Sequence, residues 1–278
     1  MTHTMPASKE CQPVTAAHWP YPRLVAHRGA GKLAPENTLT AMRVGYAHGY
    51  RMAEFDVKLS ADGVSFLLHD HTLERTTSGR GRADALPWRE LSRLDAGAWH
   101  SAQYAGEPLP TLSGVARWAR AHHVACNIEI KPTPGRERET GAAVALDALT
   151  LWREAELPPL LSSFSLEALA AARDAAPELP RALLLETLLP DWRDHLARLK
   201  CVALDTDHTV LTEAVVHATR AAGYRVLCYT PNDGQRVQEL AGWGVDGIIT
   251  DAVDRIAVDS LPPPSSLPPQ PESSMSQH

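Results

Sequence analysis

Charged residues recur in this chain at two-residue spacing inside short apolar runs. That arrangement brings ionisable groups together on one face of a strand. Glu54 and Asp56 alternate with Phe55 and Val57, and Asn127-Ile128-Glu129-Ile130-Lys131 repeats the pattern. Three carboxylates converging on one place repel one another unless a cation lies between them. All-oxygen ligation of that kind suits one divalent ion, Mg2+ or Ca2+, whereas Zn2+ favours His or Cys. The spacing also allows a plainer arrangement, in which Glu129 pairs with Lys131 and Glu54 with Arg28. His27-Arg28-Gly29 closes another apolar run. A histidine there can move a proton, an arginine can grip a phosphate with its fork of donors, and glycine lets the backbone pass close to a ligand. His69-Asp70 ends a further run. Two histidines flanking a pocket that holds a cation and a phosphate would make an acid/base pair.

Positioning these groups requires a scaffold that ends many strands at one place. Eight short apolar runs, at residues 24–27, 52–57, 126–131, 160–164, 182–185, 202–204, 226–230 and 247–250, alternate with amphipathic stretches. The helical stretches fall at 37–49, 112–122, 139–154, 166–176, 191–199, 212–222 and 234–243, with Ser165, Thr212 and Asn232 near helix starts as N-caps. Strand and helix repeated in this way predict an α/β fold, a (β/α)8 TIM barrel, with its chemistry at the carboxyl ends of the strands. A doubly wound sheet is the rival, but no Gly-rich dinucleotide fingerprint follows the first strand. More than 70 residues separate Met52 from Cys126, far beyond the usual interval. A ninth apolar run at 64–69 follows the turn signal Ser60-Ala61-Asp62-Gly63, so the second strand folds into a hairpin that returns His69 toward Glu54. Residues 71–110 then form an insertion over the barrel mouth. Thr230, Thr250 and Asp251 close later strands and are candidates for the rim.

Composition narrows the partners. The chain has 278 residues, 44% hydrophobic and 22% charged, with a net charge of −6, and it carries no long basic run. Nucleic acid is therefore excluded as the main partner. No apolar run approaches the ~20 residues of a membrane span, so no stable membrane insertion is expected. Residues 1–20 lack a basic start followed by an apolar stretch, which reads as a cytoplasmic chain without a secretory signal. Cys126, Cys201 and Cys228 lie in or beside apolar runs without metal-finger spacing, as buried reduced thiols would. Residues 1–20 read as an extension from which Trp19, with Tyr21 just beyond, could clamp the barrel floor; 21–259 form the barrel. The Pro/Ser-rich stretch 260–278 reads as a disordered tail.

Taken together, several strings resemble the glycerophosphodiester phosphodiesterase family. They are His27-Arg28-Gly29-Ala30, Pro35-Glu36-Asn37-Thr38, Glu54-Phe55-Asp56-Val57, Asp62-Gly63, His69-Asp70, Leu73-Glu74-Arg75-Thr76-Thr77 and Glu129-Ile130-Lys131. Leu161-Ser162-Ser163-Phe164 and Trp243-Gly244-Val245-Asp246-Gly247-Ile248-Ile249-Thr250-Asp251 agree in order. The resemblance runs from about Trp19 to Asp254 and is closest to the short cytosolic bacterial form. It implies a divalent-metal phosphodiesterase acting on a small glycerophosphodiester. Glu54, Asp56 and Glu129 would hold the metal, His27 and His69 would be the acid/base pair, and Arg28 and Lys131 would bind phosphate. Phe164 would wall the substrate, and Glu36-Asn37-Thr38 would cap the first helix, with Asn37 or Thr38 as N-cap. Two departures bear on the leaving-group pocket: Tyr229-Thr230 replaces a common Trp-Thr, and Asp205 and Asp207 add charge. A lysophospholipid phosphodiesterase and a non-catalytic phosphate-ester-binding barrel are the alternatives. The first lacks an obvious amphipathic docking helix, and the second has no need of two acid/base groups.

Overall fold

The computed structural model describes residues 14–268. Strands form at β1 (Leu24–Ala26), β2 (Met52–Leu59), β3 (Ser65–Leu67), β4 (Ala125–Ile130), β5 (Leu160–Ser163), β6 (Arg181–Leu185), β7 (Ala203–Asp207), β8 (Arg225–Tyr229) and β9 (Gly247–Thr250). All but β3 are parallel, in the order β1-β9-β8-β7-β6-β5-β4-β2, and pairing of Ala26 with Ala53 closes the ring. The helices are α1 (Leu39–Ala47), α2 (Trp88–Leu91), α3 (Leu112–Ala121), α4 (Glu137–Leu151), α5 (Leu166–Ala175), α6 (Trp192–Leu199), α7 (Glu213–Ala221) and α8 (Gly234–Gly242). Apart from α2, each carries the chain outside the barrel from one parallel strand to the next. The fold is the expected (β/α)8 TIM barrel.

Alternation sorts the side chains. Phe55 and Val57 of β2 and Ile128 and Ile130 of β4 face outward, into one apolar cluster with Leu112 and Val115 of α3 and Val144 of α4. Burying each such side chain stabilises the fold by roughly 1.5–3 kcal/mol. The lower interior is filled by Val25, Met52, Leu160, Leu227 and Ile249, with Tyr21 packed among them. The Tyr21 hydroxyl donates to the Pro158 carbonyl at 2.9 Å, and the Trp19 ring stands edge-on at 4.9 Å, so these two aromatics do close the floor. An apolar floor leaves the inward-facing charges of β2 and β4 at the other end.

Helix starts follow side-chain chemistry. Thr38, Thr111, Ser165 and Thr212 each accept a hydrogen bond from a backbone N–H three residues on. The expected cap Asn232 is displaced by one residue: Asp233 caps α8, while Asn232 turns to the strand ends and donates to Asp251. Thr38 rather than Asn37 caps α1, which frees the Asn37 side chain for the site.

The hairpin forms as its turn signal predicts. Val57, Lys58 and Leu59 pair antiparallel with Leu67, Phe66 and Ser65. Ser60 Oγ donates to Asp62 at 2.6 Å, and Gly63 supplies the positive φ of 81° that the turn requires. The insertion that follows has its own small core, including Phe66, Leu73, Leu91 and Leu109. It is tied to the β1–α1 connection by Glu107 to Thr40, His100 to the Lys32 carbonyl and Arg75 to Glu36.

The expectation of a disordered tail from residue 260 is corrected for its first part. Leu261 is buried, and the carbonyls of Pro263, Ser265 and Ser266 accept hydrogen bonds from Arg23, Arg225 and Arg220. The last two guanidiniums also hold the buried Asp246, and Arg225 Nε donates to the Ala16 carbonyl at 2.5 Å. Composition missed this because the bonds use tail backbone, which a Pro/Ser stretch still offers. Residues 1–13 and 269–278 lie outside the described residues.

Candidate active site

Parallel register sets the carboxylates side by side. In the β2–β4 pair Asp56 lies opposite Glu129 and Glu54 opposite Asn127. One carboxylate oxygen from each of Glu54, Asp56 and Glu129 falls within 4.8 Å of the others, and all three residues are buried. Burial and the Asp56 charge push both Glu54 and Glu129 well above the usual carboxylate range. Burial also opposes ionisation of Asp56, but Arg28, Lys131, His69 and the Asn37 amide outweigh it and hold Asp56 far below the carboxylate range. The donor set is all oxygen, and Asp56 Oδ1 has no hydrogen-bond partner. These features fit a hard divalent ion.

Both plain pairings exist alongside this cluster in altered form. Lys131 Nζ lies 2.6 Å from Glu129 and 3.6 Å from Asp56. Glu54 accepts from the backbone N–H of Arg28 at 3.1 Å, while the Arg28 guanidinium bonds Glu36 at 2.7 Å and approaches Asp56 at 3.5 Å. Arg28 takes a left-handed φ of 50°, and Gly29 follows at 98°; a Cβ there would sit 2.9 Å from the α1 backbone. The turn thus reverses the chain so that the backbone and side chain of Arg28 both address the carboxylates. Asn37, also at positive φ, exchanges two hydrogen bonds with Asp56 and fixes its orientation.

The two histidines are held alike. His27 Nδ1 is 2.6 Å from Asp251, and His69 Nδ1 is 2.7 Å from Asp70. A carboxylate at Nδ1 sets the tautomer and leaves Nε2 for other work. Burial disfavours the charged form of His27, but Asp251 and Glu54 outweigh it and raise its pKa. Burial, with Arg28 and Lys131, lowers His69 despite Asp56 and Asp70. Arg75 braces the second pair by bonding both Asp70 and Glu36.

His27, Arg28, Glu54, His69, Glu129 and Lys131 line one cavity of about 460 Å³ at the carboxyl ends of the strands. Phe164 and Thr230 line it too, as expected, but Thr250 is fully buried and bonds Asn232. Asp251 acts on His27 rather than as bare rim. Sequence reasoning did not single out Asn127, Ser162 or Glu186, which also line the cavity. The signal was present: Asn127 and Ser162 lie two residues before Glu129 and Phe164, on the same inward parity. A larger cavity of about 780 Å³ opens at the floor between the ends of α3 and α4, away from every group above.

Eight parallel strands that gather acid/base and anion-binding groups at their carboxyl ends are the plan of a TIM-barrel enzyme. The chain belongs to the glycerophosphoryl diester phosphodiesterase family, whose pattern it matches over residues 27–255. It is 31% identical to a glycerophosphodiester phosphodiesterase of Caldanaerobacter subterraneus subsp. tengcongensis over 234 residues, covering 82% of this chain and 93% of that protein. Among solved structures it resembles a phosphodiesterase of Oleispira antarctica in complex with the product sn-glycerol-3-phosphate. There the identity is 35%, the TM-score 0.80, and 86% of this chain and 97% of that one are covered. A glycerophosphodiester phosphodiesterase of Agrobacterium tumefaciens matches at 29% identity and a TM-score of 0.70, over 85% of this chain and 99% of that one. The family resemblance read from the motifs therefore holds. No helix among the described residues is long and apolar enough to cross a membrane.

Proposed function

We propose that this enzyme hydrolyses glycerophosphodiesters, such as glycerophosphocholine and glycerophosphoethanolamine, to the free alcohol and sn-glycerol 3-phosphate. One divalent cation, Mg2+ or Ca2+, assists, and His27 and His69 exchange the protons. The observation that carries this reading is the pairing of two carboxylate-held imidazoles with the three-carboxylate cluster around one cavity. The product bound to the Oleispira antarctica relative supports the choice of product. Free, buried Cys126, Cys201 and Cys228 suit a cytoplasmic setting.

Glu54, Asp56 and Glu129 would hold the cation, which when bound neutralises their repulsion and polarises a phosphoryl oxygen. Arg28 and Lys131 would bind the phosphate, with Phe164, whose ring lies 5.3 Å from Lys131 Nζ, as an apolar wall. None of these groups is a Ser, Thr or Cys, so the attacking oxygen comes from substrate or water. The glycerol 2-hydroxyl lies next to the phosphorylated carbon and has the proximity advantage. One histidine takes its proton at Nε2 as a 1,2-cyclic phosphate forms, and the other gives a proton from Nε2 to the departing alcohol. Water then opens the ring with the roles reversed. The test measures glycerol 3-phosphate release from glycerophosphoethanolamine, with lysophosphatidylcholine as comparator, each with and without chelator. Full turnover in excess chelator, or cleavage of the lysophospholipid alone, overturns the reading.

A further inference from the structure

The ring order places two unlike arcs across the barrel. β1, β2 and β4 carry His27, Arg28, the carboxylate cluster and Lys131, and β7 stands four places from β2 in either direction around the ring. On that far side, Glu186 follows β6, Asp205 and Asp207 lie on β7, and Tyr229 ends β8 in register with Asp207. All four line the same cavity. Among the described residues, Glu186, Asp205 and Asp207 form no ion pair. Asp205 is fully buried, with neither oxygen hydrogen-bonded. Asp207 Oδ1 accepts from the Thr209 N–H and hydroxyl at 2.7 Å each, and its Oδ2 has no partner. Burial raises the Tyr229 phenol first, and the charges of Asp205, Asp207, Glu186 and Glu129 add to it. The Tyr229 and Phe164 rings meet edge-on at 5.8 Å between centroids, and Phe164 is 42% exposed.

The unpaired carboxylates of Glu186 and Asp207, grouped beside aromatic rings, are matched by an organic cation, which meets the negative charge and the ring faces together. Asp205, which burial holds protonated, lines the same cavity as a hydrogen-bonding group. A neutral polyol could occupy the hydrogen-bonding sites but would leave the charge of Glu186 and Asp207 uncompensated. We propose that Glu186, Asp205 and Asp207, with Tyr229 and Phe164, form a subsite for a cationic alcohol, so that the enzyme selects glycerophosphodiesters whose head group carries an ammonium. This rests on the phosphodiesterase reading above and adds a choice among its substrates. The phosphate is then held by the β1–β2–β4 arc and the ammonium by the β6–β7–β8 arc, both lining one cavity. Phosphate binding and head-group choice then belong to separate strands.

The experiment compares kcat/KM for glycerophosphocholine and glycerophosphoglycerol, whose alcohols are cationic and neutral. It uses the wild type and the rim variant Glu186→Gln with Asp207→Asn, and repeats the comparison with Asp205→Asn. The wild type should favour the choline ester by about ten-fold or more, the scale of one cation–π contact with a partly screened ion pair. The rim variant should bring the ratio toward one. Tetramethylammonium should competitively inhibit glycerophosphoglycerol cleavage by the wild type and lose that effect in the rim variant. A wild-type ratio near one, or variants that lower both substrates alike, overturns the subsite. Failure of the wild type to cleave both substrates would instead overturn the phosphodiesterase reading.

Discussion

Replacing Asp205 with asparagine should stabilise the protein, and the gain should grow as pH rises. Asp205 is 0% exposed, neither oxygen has a hydrogen-bond partner, and burial pushes its carboxyl from an ordinary 3.8 up to about 8. Between those values the folded chain keeps a proton that the unfolded chain releases. Stability is therefore complete below pH 3.8 and is lost as pH rises toward 8. Asparagine does not titrate, so the difference between variant and wild type widens by at most about 1.4 kcal/mol per pH unit. Water in the neighbouring cavity eases the burial, which reduces the gain between pH 5 and 7 to about 1–2 kcal/mol. For a chain of this size that is roughly 2–8 °C in melting temperature. The assay is thermal unfolding of both proteins, freed of divalent ions, in one buffer series from pH 4 to 9. Melting curves that run parallel across the series would refute the reasoning, because they require Asp205 to ionise as easily folded as unfolded.

Glu54→Gln, Asp56→Asn and Glu129→Gln should each remove most activity and weaken cation binding, read by calorimetric titration, while circular dichroism stays unchanged. His27→Ala and His69→Ala should each lower kcat about 10²- to 10⁴-fold with smaller changes in KM, read from steady-state rates. Asp251→Asn should lower kcat as well, because the amide can hold the wrong His27 tautomer, and the kcat–pH profile should shift with it. A chain ending at residue 259 loses the carbonyl partners of Arg23, Arg220 and Arg225 and should melt roughly 4–12 °C lower, at about 2–3 kcal/mol of lost stability. A chain kept through Pro268 retains those bonds and should melt above the chain ending at residue 259.

The barrel was legible because short apolar runs of strand length alternate with amphipathic stretches, and the helices between, α4 apart, begin on Ser, Thr or Asp. The site was legible for the same reason where its residues share one strand, as in Glu54 with Asp56 and Glu129 with Lys131. The hairpin turn at Ser60–Gly63 returned His69 to the mouth through local chemistry alone. Partners that meet only through ring closure were harder to read. Asp251 reaches His27 because β9 and β1 pair Thr250 with Ala26, a contact between residues at opposite ends of the fold. Asn37 reaches Asp56 because it takes positive φ, and no spacing announces that. The tail misled because composition reports side chains, and its bonds to the arginines are mostly made by backbone carbonyls.

The Arg225 guanidinium touches Ala16 and Ser265 at once, so the two described arms of the chain share one anchor on the barrel floor. That anchor is at the start of β8, and the cavity is at the strand's far end. At Ala16 and Ser265 the two arms therefore lie on the face opposite the opening, clear of substrate entry. Proximity of the arms also makes the enzyme suited to circular permutation: a short bridge could join them, and a new opening could be cut in a loop at the floor, such as the one around Gly223 between α7 and β8. The permuted chain would keep every strand in its place in the ring.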